Sequence, residues 1–452
     1  MKLTRRRLLQ GGLALGGLSA IGLPALGGFG HTPAFANPRD DLYFIFAYFS
    51  GGWDVLLTLD PRDPRVFRDD RKKVTRIQPA YDKLTSGQDD LVRTAVDGMV
   101  FGPHIGGLAD VADKLTVVRG LSMDTLTHEV GRRRFLTGQP PAGLQAQGSS
   151  LATVLAAELG PTEPIPQLSV RVESYNDGMP AFASAIRVNS VDDLLRALRP
   201  SPSALPAGEQ EAVEALLATA RECDRIRTST FQSQALDFRQ AARDLVALGL
   251  DARFDFSAST AEMEALRDVY GIDPYDLAGA PAQAAAAVTA LTSGISRCVS
   301  FEVAKDLDAH GPEWAASHGP RLESGFDIMA ALIRDLERRE YKDSGGSWLD
   351  HTVVVGFSEF ARTPMLNSSG GRDHHLLNAC VMAGGGLPGG RVLGASSDAG
   401  MAPQRLDYQT GVVSPGGQIV RPENLFAALQ EHAGIAGDPG GLEATPFRAL
   451  LG

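Results

Sequence analysis

Acids and imidazoles gather where several apolar runs of this sequence stop. SGGWD places Asp54 just past a Gly pair, and AKDLDAHGPEW offers Asp306, Asp308 and His310. GFSEFARTPMLNSSGGRDHH (Gly356–His375) opens on Ser358-Glu359 and closes on Asp373, His374 and His375. Such side chains can hold a divalent cation, and a set of mixed oxygen and imidazole donors suits Zn²⁺, Mn²⁺ or Ca²⁺ better than a metal selected by thiolates. Each group also has a plainer reading. Asp54 can form a turn or cap a helix, Asp308 and His310 can be a solvated pair, and Asp373-His374-His375 can lie exposed after a Gly-Gly turn. Glu359 is the hardest to read as surface, because an acid at the end of a buried strand is costly unless it is paired or bound to a cation. Arg362 is within reach as that partner, or as a contact for an anion.

A second stretch, GLSMDTLTHEVGRRRFLTGQPP (Gly120–Pro141), sets Thr127-His128-Glu129 at what reads as a helix start, followed by three arginines. A helix N-terminus there would favour an anion; a capped amphipathic helix with a basic face is the plainer alternative. There is no GxSxG elbow, which argues against an ordinary α/β-hydrolase. Neither a P-loop nor a GxGxxG after the first apolar run is present.

These groups need strands to carry them. DLYFIFAYF (Asp41–Phe49) reads as a buried strand that stops at a Gly turn. Leu115–Arg119, Gln167–Val172, Cys298–Val303, Thr352–Phe357 and Ala379–Ala383 read likewise, with helical patterns such as Ser150–Leu159 and Leu322–Arg339 between them. The alternation predicts an α/β fold, a mostly parallel sheet sandwiched by helices. In such sheets ligands bind outside the carboxyl ends of the strands, where the acids and histidines fall. Residues from about 188 to 297 carry helical periodicity without a strand and predict a helical insertion.

Charge and leader bound the rest. TRRRLLQ (Thr4–Gln10), a Gly-rich apolar run over Leu13–Leu26 and Ala34-Phe35-Ala36 read as a twin-arginine export signal, residues 1–36, cut after Ala36. The run is too short and glycine-rich for a membrane anchor. Losing four cations and no acid moves the net charge from −11 to −15, and no basic cluster invites nucleic acid. The leader makes the twin-arginine export machinery an expected partner and a periplasmic or secreted location the expected destination. Cys223, Cys298 and Cys380 are too few and too far apart for a disulfide framework, though one bridge is possible.

Taken together, FSGGWD, THEVGRRRFLTGQPP, the Asp308-x-His310 pair, SEFARTP, GGRDHH and GGGLPGGRVLGAS resemble the exported bacterial family called domain of unknown function fifteen-oh-one, of the alkaline phosphatase and sulfatase superfamily. The resemblance runs over nearly the whole mature chain. It implies an alkaline phosphatase-like fold, divalent metals at strand ends and in-line attack on phosphate or sulfate esters. It also implies metal ligands at Asp54, Asp308, His310, Glu359 and His374, with Asp373 beside them. The sulfatase nucleophile slot falls on His128, so formylglycine is excluded there. That leaves Thr127 or an activated water to attack, His128 as base, phosphate acceptor or ligand, and Arg362 or one of Arg132–Arg134 to steady the anion. Glu359 in place of the usual Asp leaves one fewer nitrogen ligand, so the site implied holds one or two cations. The expectation is thus an exported metal-dependent hydrolase of phosphate or sulfate esters. The alternatives are a catalytically degenerate secreted protein that binds an anionic small molecule or polysaccharide, and a domain that a metal merely stabilises.

Overall fold

The computed structural model describes residues 39–199, 206–222 and 230–452. The export signal expected over residues 1–36, most of the Pro-rich loop at 200–206 and Cys223 lie outside them. Eight strands form the main sheet: β1 (Tyr43–Phe49), β2 (Leu115–Ser122), β3 (Gln167–Val170), β4 (Ile186–Val188), β5 (Cys298–Ala304), β6 (Thr352–Ser358), β7 (Leu377–Ala383) and β8 (Arg391–Leu393). Their order across the sheet is β8-β2-β7-β6-β1-β5-β3-β4. β7 runs antiparallel to both neighbours, and the remaining pairs are parallel.

β1 shows why the sheet is central. Successive strand residues point to opposite faces, and Tyr43, Ile45, Ala47 and Phe49 enter one apolar core while Phe44, Phe46 and Tyr48 enter another. A strand apolar at every position can satisfy both faces only between two layers of helices. The first face is covered by α3 (Val191–Leu198), α6 (Ala261–Tyr270), α7 (Ala280–Thr292) and α8 (Gly319–Arg338). The second is covered by α1 (His128–Thr137), α2 (Leu151–Leu159) and α9 (Pro422–His432). Between β4 and β5 the described chain is helical, with α4 (Ala207–Glu222) and α5 (Thr230–Ala247) completing that stretch. Cys298 and Cys380 are buried free thiols. No helix among the described residues is long and apolar enough to cross a membrane.

Several bounds differ from expectation for local reasons. The strand predicted over Gln167–Val172 ends at Val170, because Arg171 turns to a left-handed φ of 62°. The helix predicted from Leu322 begins at Gly319, after a π-helical turn over Trp314–His318. The edge strands Ile186–Val188 and Arg391–Leu393 are three residues each, too short to show a period in sequence.

Candidate metal centre

Three chain segments meet beyond the carboxyl ends of β1, β5 and β6. After β1, Gly51 has a φ of 109°, and a Cβ there would lie 2.7 Å from Leu307 N and 2.8 Å from Asp308 N. Glycine at this turn lets the loop after β5 close in, and Leu307 N donates to Ser50 O at 3.2 Å. That loop carries Asp308 and His310. After β6 the chain makes a two-residue antiparallel ribbon in which Arg362 pairs with His374 and Ala361 with His375. α1 supplies His128 as its first residue, and Gly131 one turn later fits because a Cβ would sit 2.6 Å from Glu359 O.

Three imidazoles converge on one carboxylate oxygen. Asp308 Oδ1 lies 3.0 Å from His310 Nε2, 3.2 Å from His374 Nε2 and 3.3 Å from His128 Nε2. The Nε2 atoms of His310 and His374 are 3.0 Å apart. Ligand atoms of His128, Asp308 and His374 all fall within 4.8 Å of one another. Zinc bonds of 2.0–2.1 Å to four tetrahedral ligands would space those ligands about 3.3 Å apart.

The other ring nitrogens are all committed. His128 Nδ1–H donates to Glu359 Oε1 at 2.7 Å, His310 Nδ1–H to Asp373 Oδ1 at 2.7 Å, and His374 Nδ1–H to the Leu126 carbonyl at 2.6 Å. Each acceptor fixes the proton on Nδ1 and leaves an Nε2 lone pair facing the shared centre, which is how metal-binding histidines are held. His128 Nε2 is buried and, among the described residues, makes no hydrogen bond. Its 3.3 Å separation from Asp308 is close but not hydrogen-bonded. A buried ring nitrogen left without a partner is costly, and a cation would relieve it. The residues therefore fit a divalent ion of the zinc type, with His128, Asp308 and His374 as its donors and His310, whose Nε2 receives Arg362 Nη1 at 3.4 Å, beside them.

The charges of Asp308 and His374 agree with this set. Burial works against ionisation of Asp308, but a hydrogen bond from Arg362 Nη2 at 2.6 Å outweighs it and holds the carboxyl well below its usual range. Burial lowers the His374 imidazole and keeps it neutral, as a ligand must be. His128 runs the other way: burial opposes its charge, yet the Glu359 hydrogen bond and carboxylate prevail and raise it, so a cation bound there would displace that proton.

The other predicted residues fall around the cluster or away from it. Glu359 is buried and accepts from His128, from Gly51 N at 2.9 Å, from the Tyr48 hydroxyl at 3.0 Å and from the Ser358 hydroxyl at 3.0 Å. It orients His128 and does not pair with Arg362. Asp373 supports His310 in the same way. Asp54 is not brought into the cluster. Its carboxylate is fully buried 2.9 Å from Arg372 Nε, with Trp314 Nε1 donating to Oδ2 at 2.8 Å and Leu56 N to Oδ1 at 3.0 Å. The expected anion contacts are also committed. Buried Arg362 donates to the carbonyls of Gly51, Gly52 and Arg372 and to Asp308. Arg132 and Arg133 are tied to Glu173, and Arg134 to Asp124 and Glu423. Thr127 is the exposed N-cap of α1, and its hydroxyl makes no hydrogen bond among the described residues. Two contributors carried no legible signal: the Leu126 carbonyl, which any residue type offers, and Tyr48, which sits inside an aromatic strand.

A family model described as "Protein of unknown function (DUF1501)" matches residues 43–410, and the chain belongs to that family. No curated protein matches the chain in sequence. Among solved structures, one entitled "Crystal structure of Ps i-CgsB in complex with k-i-k-neocarrahexaose" is similar at 8% identity and a TM-score of 0.38, covering 90% of this chain and 75% of that one. A mutant of TAB5 alkaline phosphatase with Mg bound in the M3 site is similar at 10% identity and a TM-score of 0.29, covering 77% and 91%. The structure of BT4656 in complex with its substrate D-glucosamine-2-N,6-O-disulfate is similar at 10% identity and a TM-score of 0.33, covering 92% and 80%.

Proposed function

We propose that this member of the DUF1501 family is a metal-dependent hydrolase of phosphate or sulfate esters that works outside the cytoplasm. The TRRRLLQ leader supports delivery by the twin-arginine machinery. The observation that carries the hydrolase reading is the convergence of three imidazole Nε2 atoms on Asp308 Oδ1, one of them buried and unpartnered. A divalent cation held there would supply a Lewis acid for an ester oxygen and a means of activating water near neutral pH.

The chain's own groups set up that chemistry. Glu359, Asp373 and the Leu126 carbonyl hold the three rings in the tautomer that offers Nε2. Arg362 keeps Asp308 ionised and balances its charge. The start of α1 brings main-chain N–H groups and the positive end of its dipole to the cluster, which favours an anionic ester. Thr127, beside His128 and exposed, offers the hydroxyl for attack. Phosphate and sulfate esters are the substrates implied by the resemblance to the alkaline phosphatase and sulfatase superfamily.

Among the described residues the Thr127 hydroxyl has no hydrogen-bonded base, and this favours a second reading, a catalytically degenerate protein that binds an anionic ligand or polysaccharide. Turnover of 4-nitrophenyl phosphate and 4-nitrophenyl sulfate by the metal-loaded full chain separates the two. The hydrolase reading expects turnover of at least one ester, abolished in His374→Ala and reduced at least about 100-fold in Thr127→Ala if that hydroxyl attacks. Metal-loaded protein that turns over neither ester yet binds sulfated polysaccharide supports the second reading.

A further inference from the structure

Away from the metal cluster, a second set of side chains has the connectivity of an activated nucleophile. His104 is fully buried, and its Nδ1 lies 2.8 Å from Glu323 Oε2. An ionised carboxylate only accepts, so Nδ1 carries the proton and the neutral ring presents a lone pair at Nε2. Ser86 Oγ lies 3.1 Å from that Nε2 and is placed to donate its hydroxyl proton there. The lone-pair side of Ser86 Oγ receives Gln88 N at 3.4 Å, so the hydroxyl hydrogen is left for the imidazole.

The surroundings hold these groups in place. A Cβ on Gly319 would stand 2.3 Å from His104 Cδ2, so the first residue of α8 is packed directly against the ring. His104 N donates to Leu57 O at 2.9 Å. The serine loop is pinned by Thr85 N to Ala315 O at 3.0 Å, and Gln88 Nε2 reaches Glu323 Oε1 at 3.4 Å. The reacting side is open instead: Ser86 is exposed, and a Cβ on Gly87, at a φ of 73°, would meet none of the described residues within 4 Å.

We propose that Ser86, His104 and Glu323 form a Ser-His-Glu nucleophilic triad acting on sterically open carboxylic esters, independent of the metal cluster. A nucleophile bonded to a base that a third group orients is the arrangement by which a weak hydroxyl becomes reactive. Ser86 Oγ forms a bond to the ester carbonyl carbon as its proton passes to His104 Nε2. The ester C–O bond then breaks, and the leaving alkoxide takes that proton. Water repeats the sequence to release the acid, and nothing is oxidised or reduced. Glu323 holds the ring and stabilises the imidazolium between the two transfers.

The test is labelling of the full chain with a fluorophosphonate reagent, with adducts mapped by mass spectrometry. Ser86 is expected to react at least about 100-fold faster than the other exposed serines, the scale of one positioned base. Ser86→Ala should remove that adduct, and Glu323→Gln, on a half-buried side chain, should slow it at least about tenfold while circular dichroism and metal content stay unchanged. Labelling of Ser86 at the rate of other serines, or a rate untouched by Glu323→Gln, would overturn the proposal and reduce the three residues to a tie between the serine loop and α8.

Discussion

Glu359 accepts from four donors, one of them the ring of His128, and that count explains an acid at the end of a buried strand. It acts on the cluster through the imidazole. Glu359→Gln keeps the shape but weakens the hold on the Nδ1 proton, so metal affinity measured by chelator competition should fall about 10–100-fold. Asp54 supplies the contrast. Its removal leaves buried Arg372 without its counter-charge, and Asp54→Ala should cost about 3–5 kcal/mol in denaturant unfolding. The folded fraction of that variant should still bind metal with wild-type affinity. Sequence alone brought both acids to strand ends, but it could not tell which carboxylate faces the cluster. The difference lies in the turn after Gly51-Gly52, which sends Asp54 down toward Trp314 and Arg372.

Between elements, the critical fit is α1 against the loop after β6. Gly131 allows that approach, and Gly131→Ala would drive a methyl to 2.6 Å from Glu359 O. Overpacking of this kind costs about 1–3 kcal/mol, and here the shift would also move His128. Thermal unfolding should show the lost stability, and metal titration should show weakened binding in the same variant. α1 is also tied to the segment after β3 through Glu173. Burial pushes the Glu173 carboxyl up, but hydrogen bonds from Arg132 and Tyr175 more than offset it and hold it at about 2. A depressed carboxylate adds stability that is present above its ordinary value of 4.5 and is lost as pH falls toward 2. Wild type should therefore lose more stability than Glu173→Gln between pH 5 and pH 2. The strands that anchor this arrangement were legible because β1, β5 and β6 are apolar at nearly every position. The two-residue ribbon that turns His374 toward Asp308 was not, since its pairing of Arg362 with His374 is set by tertiary context.

Over the whole molecule, a sheet buried on both faces delivers loops from three neighbouring strands to one edge, with α1 and the ribbon closing over them. The α/β class, the mostly parallel order and the strand-end location follow from apolar runs alternating with helical periodicity. The sequence leaves His128 open as base, phosphate acceptor or ligand, and its place among the imidazoles depends on long-range packing that no local pattern encodes. Because the histidines must be neutral to bind, acidification should release the metal. Ligand-linked stability should make the melting temperature rise with added zinc, by the equivalent of about 2.7 kcal/mol at a hundredfold excess over the dissociation constant. The most direct measurement is the divalent metal content of purified full-length protein, wild type beside His128→Ala and His374→Ala. The cluster predicts close to one zinc-type ion per chain in wild type and its loss in both variants. A metal-free wild type that takes up none on titration, or binding that survives both substitutions, would contradict it.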